Sequence, residues 1–222
     1  GHIIRSLEEA FERNGRATIA LSGGSAPKLL FPHVAAAHLD WRKVDIFWVD
    51  ERNVPPDSEQ SNFRMASEYL LWPAAVPEKN IHRIRAELGA EVAAARYAEE
   101  IRSLFSLDER SLPQLDIMQL GLGDDAHTAS LFPGEPRIED REGVAAACYV
   151  EKFSQWRITL LPGVLLQARD AVYFVSGEGK AEALRSVLRD EYDPLKYPAQ
   201  VVARNRSRLS WYVDQAAARL LQ

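Results

Sequence analysis

Strand-like apolar runs alternate with helix-like stripes along most of this chain, and that alternation restricts the fold more than any other feature. Residues 17–21, 44–49, 115–120 and 171–175 are short apolar runs of the length a buried strand needs. Helical spacing appears between them, at Leu30, Val34 and Ala37, over residues 62–71, and at Ala94, Ala98, Ile101 and Phe105. Ala181, Leu184 and Leu188 mark a further helix. Residues 81–84, 144–150 and 157–161 read as additional strands, and the chain closes on an expected strand near 200–203 and an expected helix near 211–221. This order of elements predicts an α/β fold: a mainly parallel, twisted sheet with helices on both faces. No repeat or long linker divides the 222 residues, so a single domain over residues 1–222 is expected.

In such a sheet, ligands bind at the carboxyl ends of the strands. Four polar loops follow predicted strands and would share that edge: residues 22–27, 50–57, 121–127 and 176–180. The loop Gly121-Leu-Gly-Asp-Asp-Ala-His127 puts two glycines, two carboxylates and a histidine within seven residues. A histidine exchanges protons near neutral pH, and Asp124 or Asp125 is placed to orient the ring. The Thr-Ala-Ser-Leu-Phe segment after it reads as the start of a helix.

In Ser22-Gly-Gly-Ser-Ala-Pro27, Gly23 and Gly24 let the backbone approach a ligand closely. Ser25 is placed to cap the next helix, whose free amides attract phosphate. Asp50, Glu51 and Arg52 form an acid-acid-base triplet at a strand end. Lys180 falls at a helix start, where the dipole disfavours a cation unless an anion lies between. Arg157 reaches the same edge if its strand runs antiparallel to its neighbours. His33, His38 and His82 have no such context and read as ordinary helix or surface residues.

Several chemistries are excluded or unsupported. Neither a Walker loop nor the three-glycine dinucleotide pattern is present, and no Gly-x-Ser-x-Gly elbow marks a serine hydrolase. Cysteine and histidine show no metal-ligand spacing, so no metal is expected; nor is any cofactor. A net charge of −5 argues against nucleic acid as a partner, and no apolar run approaches the roughly 20 residues needed to cross a bilayer. With one cysteine, Cys148, and no signal-peptide pattern, a cytoplasmic protein is expected.

The motifs taken together carry a resemblance. Leu21-Ser-Gly-Gly-Ser-Ala-Pro27, Trp48-Val-Asp-Glu-Arg-Asn-Val-Pro55 with Asp57 and Ser61-Asn62, and His127-Thr-Ala-Ser-Leu-Phe-Pro133 closely resemble the 6-phosphogluconolactonase family. Arg157-Ile-Thr-Leu160, Gly177-Glu-Gly-Lys-Ala-Glu-Ala-Leu184 and the segment from Pro198 to Trp211 are similar to the same family, in the same order. The resemblance implies a Rossmann-like domain of the sugar-phosphate isomerase type. It also implies hydrolysis of 6-phospho-D-glucono-1,5-lactone to 6-phosphogluconate, in the oxidative pentose phosphate pathway. His127 would be the general base on water, supported by Asp125; Asp50 would contact substrate hydroxyls or the histidine, and Arg52 would hold the anionic end or the developing oxyanion. Gly23, Gly24, Ser25, Arg157 and Lys180 would hold the phosphate, with Arg64 a further candidate. The partner expected is a small sugar-phosphate lactone, bound by a monomer or weak homodimer.

The family carries Gly where this chain has Ala126, a change that costs strain if φ is positive there. A more distant resemblance leads to glucosamine-6-phosphate deaminases, which carry an Asn-Glu pair where this chain has Leu131 and Phe132. A deaminase and a catalytically silent sugar-phosphate binder are the alternatives.

Overall fold

The computed structural model describes residues 1–206 and 208–221. Its main sheet contains β1 (Ala17–Leu21), β2 (Val44–Trp48), β4 (Ile81–His82), β5 (Ile117–Leu120), β8 (Asp170–Val175) and β9 (Leu209–Val213). They run in the order β4-β2-β1-β5-β8-β9, and every pairing is parallel. A second, antiparallel sheet joins β3 (Asp50–Arg52), β7 (Gln155–Leu160) and β6 (Ala145–Val150). The helices are α1 (His2–Asn14), α2 (Ser25–Ala35), α3 (Asn62–Ala66), α4 (Ala90–Leu104), α5 (Pro162–Gln167), α6 (Ala181–Arg189) and α7 (Gln200–Asn205). The α/β class and the mainly parallel sheet flanked by helices are as the sequence predicts.

The central strands are apolar because they are covered on both sides. Every residue of β5 is buried, as is all of β1 except Thr18. Helix α1 packs on β1 and β5 through Ile3, Leu7 and Ala10, while α4 packs on β6 and β7. One hydrophobic core runs through both sheets, from Leu7 and Ile19 to Ile158 and Leu160.

Val49 is where the chain changes sheets. Its N–H donates to Leu21 O in the parallel sheet, and its carbonyl accepts from Leu160 N of β7, each at 2.8 Å. Beside it, Tyr97 of α4 satisfies the backbone of Trp48, accepting from its N–H and donating to its carbonyl at 2.8 Å. Asp50 and Arg52 then share one face of β3, and Glu51 takes the other.

Three local expectations are corrected. The predicted strand near 200–203 is helix α7, and the predicted helix near 211–221 opens as strand β9 followed by turns. Short apolar runs do not distinguish the two states by period alone. Tertiary contacts decide instead: Gln200 is fully buried, bonding Asp193 N, Ser186 O and Glu191 O. Trp211 stacks on its cross-strand partner Tyr173 at 4.1 Å. The third correction concerns residues 128–132, which form no helix but an irregular loop with an isolated Thr128–Leu131 bridge and Ala129 at φ 53°.

His82 is also no surface residue, whereas His33 and His38 are exposed. His82 is stacked on Phe47, with Nδ1 3.0 Å from Glu100 Oε1 and Nε2 3.2 Å from Asp45 Oδ1. Burial opposes its protonation, but the two carboxylates outweigh burial and push it up to about 9. The folded protein therefore keeps a proton that the unfolded chain loses above pH ~6.5. The resulting stabilisation is full below that pH and disappears as pH rises toward 9. A loss of about 2–3 kcal/mol over this window is expected in chemical denaturation. His82→Gln should flatten the slope; an equally steep slope in that variant would assign the loss to other groups.

Candidate active site

The parallel strands order themselves outward from β1 and β5, β2 and β4 lying on one side and β8 and β9 on the other. The crevice at this switch point is the expected ligand position. The two loops leaving β1 and β5 meet there, a Cβ built on Gly121 lying 3.8 Å from Gly23 O. An open cleft of about 220 Å³ is lined by Ser22, Gly23 and Gly24, by Asp50, Arg52 and Asn62, by residues 121–123 with His127 and Ala129, and by Lys180. The four predicted loops thus converge on one cleft.

Gly23 is required by its neighbour: a Cβ there would overlap Asn62 Oδ1. Gly24 has φ 115° and is itself the residue preceding α2, so Ser25 is the first helical residue rather than the cap. Ser25 is exposed and is not part of the cleft lining. Ser22 Oγ is buried in the cleft wall without a hydrogen-bond partner, and its N–H is held by Gln119 Oε1 at 2.8 Å.

The turn 123–127 is built around the histidine. Ala126 N donates to Gly123 O at 3.2 Å, and Gly123 N donates to His127 O at 2.9 Å. His127 Nδ1 lies 2.5 Å from Asp125 Oδ1, and its ring stacks on Phe132 with centroids 4.0 Å apart. With Nδ1 engaged, Nε2 is the nitrogen left for a ligand. Burial acts to raise the Asp125 carboxyl, yet hydrogen bonds and charge from His127 and Lys152 outweigh it and hold the group far below the usual carboxylate range. Asp125 is therefore an anion at any working pH.

Ala126 has φ 64° and is 1 % exposed, so the residue that replaces glycine does adopt the left-handed conformation. That conformation costs an alanine about 1–2 kcal/mol. Its buried methyl returns about 0.8 kcal/mol. Ala126→Gly is accordingly expected to change the unfolding free energy by less than about 1 kcal/mol and to leave kcat within about twofold. A larger gain in both would mean that alanine distorts the loop.

On the opposite wall, Asp50 is 7 % exposed; its Oδ2 accepts from Ser130 Oγ at 2.6 Å and its Oδ1 lies 3.3 Å from Asn62 Nδ2. Glu51 points away and is fully engaged. It accepts from Arg52 N, Asn62 N and Phe63 N at 2.7–2.8 Å and from Ser61 Oγ at 3.0 Å, fastening the start of α3 to β3.

Strand β7 is antiparallel, and Arg157 stands directly opposite Arg52 in the β3–β7 register. Arg157 is buried, has no ion-pair partner among the described residues, and leaves Nε without a hydrogen bond. Burial first, and then the charge of Arg52, lower its affinity for the proton. Like charges directly opposite each other destabilise a sheet unless an anion compensates them. Lys180 lines the cleft just before α6, also without an ion pair among the described residues. Arg64 is placed elsewhere. It binds Asp57 O and Glu68 Oε1 at 2.8 Å and lines a neighbouring cleft with Lys28 and Tyr69.

Residues 1–211 match the family described as glucosamine-6-phosphate isomerases/6-phosphogluconolactonase. The chain belongs to this family. A 6-phosphogluconolactonase from Nostoc is 37 % identical over 216 residues, covering 97 % of this chain and 89 % of that protein. The human 6-phosphogluconolactonase is 37 % identical over 213 residues, covering 93 % and 81 %. Among solved structures, the 6-phosphogluconolactonase from Trypanosoma cruzi superposes with a TM-score of 0.88 at 26 % identity, covering 100 % of this chain and 90 % of the other.

Within this glucosamine-6-phosphate isomerase/6-phosphogluconolactonase fold, four cleft-side residues have roles that the sequence did not reveal. Asn62 and Ser130 hold Asp50, Phe132 supports the His127 ring, and Lys152 contacts Asp125. Asn62, Ser130 and Phe132 lie inside the recognisable motifs, which was the available signal. Lys152 lies in none of them.

Proposed function

We propose that this chain is a lactone hydrolase that converts 6-phospho-D-glucono-1,5-lactone to 6-phosphogluconate, acting as one domain over residues 1–222. The observation that carries the reading is the His127–Asp125 pair, with Nε2 free, in a cleft also lined by Arg52 and Lys180. The continuous core through both sheets supports the single-domain reading.

In this reading, His127 Nε2 takes a proton from water as the water oxygen bonds to the lactone carbonyl carbon. The anionic Asp125 stabilises the imidazolium that forms. Arg52 faces the oxyanion or the anionic end of the substrate. The tetrahedral intermediate then collapses by breaking the bond to the ring oxygen, which receives its proton from His127. Asp50, anchored by Ser130, accepts hydrogen bonds from sugar hydroxyls. The phosphate lies against the Gly23–Gly24 backbone with Lys180 and Arg157 as counter-charges. Phe132 occupies a position where the deaminases carry a carboxylate, and its stack on His127 favours the lactonase over that alternative.

The test is hydrolysis of freshly prepared 6-phosphogluconolactone with the spontaneous rate subtracted, beside the unphosphorylated lactone. Two charge-assisted contacts to phosphate are each worth about 1.5–3 kcal/mol, so kcat/KM should favour the phosphorylated lactone by at least about 10²-fold. Equal efficiency on both would remove the phosphate assignment, and no rate above background would remove the hydrolase.

A further inference from the structure

The tight turn between β6 and β7, residues 151–154, carries a lysine that the proposed reaction does not use directly. Lys152 Nζ lies 3.0 Å from Asp125 Oδ2 and 3.2 Å from Asp124 Oδ1. Asp125 is thereby held from two sides, Oδ1 facing the His127 ring and its N–H while Oδ2 faces the ammonium. The same turn supports the ring itself. Phe153 packs edge-on against Phe132 at 5.8 Å, and Phe132 stacks on His127. Ser154, in the left-handed conformation at φ 46°, closes the turn that presents both residues.

We propose that Lys152 is a positioning residue for the His127–Asp125 pair, fixing the carboxylate plane and offsetting the negative charge that His127 faces. The proposal rests on the hydrolase reading above. An uncompensated carboxylate on Nδ1 favours the imidazolium, which removes the base at the low end of the working pH range. A cation on the far oxygen of that carboxylate opposes this effect while keeping the ring oriented. The hydrogen bond to Asp125 raises Lys152, and the hydrogen bond from Lys152 lowers Asp124, so all three groups are charged together.

The other charged groups around His127 are unaltered in sequence when Lys152 is changed. They are Asp50, Arg52 and Lys180 in the shared cleft lining, with Asp124 on the histidine's own loop and Glu151 on the lysine's turn. Because the Lys152 side chain is about half exposed, solvent screening keeps its effect modest.

The experiment compares the unaltered protein with Lys152→Met, which keeps the aliphatic stem, and Lys152→Arg, which keeps the charge. Two readouts are taken: the titration midpoint of the His127 imidazole by nitrogen-detected NMR, and the pH profile of kcat/KM on the phosphorylated lactone. Lys152→Met should move the midpoint and the acid limb upward together by about 0.5 pH unit. It should also lower plateau kcat severalfold with KM unchanged, while Lys152→Arg restores both. A midpoint that stays in place in a folded Lys152→Met protein overturns the proposal. The two readings separate cleanly: a shifted midpoint in a protein that hydrolyses no lactone supports the role of Lys152 and rejects the hydrolase.

Discussion

His127→Ala is expected to lower kcat on 6-phosphogluconolactone by about 10²–10⁴-fold, the range for removing a positioned general base, with KM nearly unchanged. The split between the two constants follows from the geometry. The ring contacts Asp125 and Phe132 on its protein side, while the cations assigned to the phosphate lie on β7 and before α6. The alanine variant should melt close to the unaltered protein, because the ring is partly exposed and Phe132 loses only one stacking partner. Steady-state kinetics at saturating substrate, with spontaneous opening subtracted, decides the matter. Turnover within a few-fold of the unaltered protein would remove His127 from the base role.

The second large effect is expected from Gly123→Ala. A Cβ on Gly123 would overlap His127 Nδ1 and crowd Asp125 Oδ1, the two atoms that form the short hydrogen bond. Phe132 stacks on the ring, so the imidazole cannot move aside without disturbing that stack and the bond to Asp125. A displacement of about 1 Å in a catalytic group costs roughly 10²-fold in rate, and overpacking costs about 1–3 kcal/mol of stability. Gly123→Ala should therefore lose about 100-fold in kcat while the chain still folds. The contrast with Ala126, three residues along the same loop, is instructive. There the backbone is in the left-handed region and a methyl is accommodated; at 123 it is the side-chain neighbours that exclude one.

The strands on which the site is mounted were legible because a doubly covered parallel sheet demands unbroken apolar runs, and those runs are visible at β1, β2, β5 and β8. The polar loops after them were legible for the complementary reason that a strand end facing a crevice is where glycine, carboxylate and histidine collect. The C-terminal region was misread because 200–203 and 209–213 are both short and apolar. What separates them is tertiary: the buried amide of Gln200 in one case, the Trp211–Tyr173 stack in the other. Ser130 and Asp50 are 80 positions apart and Lys152 and Asp125 are 27 apart, so no local period or motif joins either pair. The role of Val49 was equally hidden, since an apolar residue at a strand end looks the same whether or not it bonds to two sheets.

Val49 has a consequence for how the protein comes into being. Its amide is satisfied by β1 and its carbonyl by β7, so the hold on Asp50 and Arg52 that Asn62 and Gln60 begin is completed only when residues 157–160 pair with 49–52. Contacts across more than a hundred residues form late, after shorter loops have closed. During synthesis the loop at residues 22–24 emerges early, yet the strand that fastens β3 waits for the third quarter of the chain. The cleft is therefore complete only where the two sheets are joined.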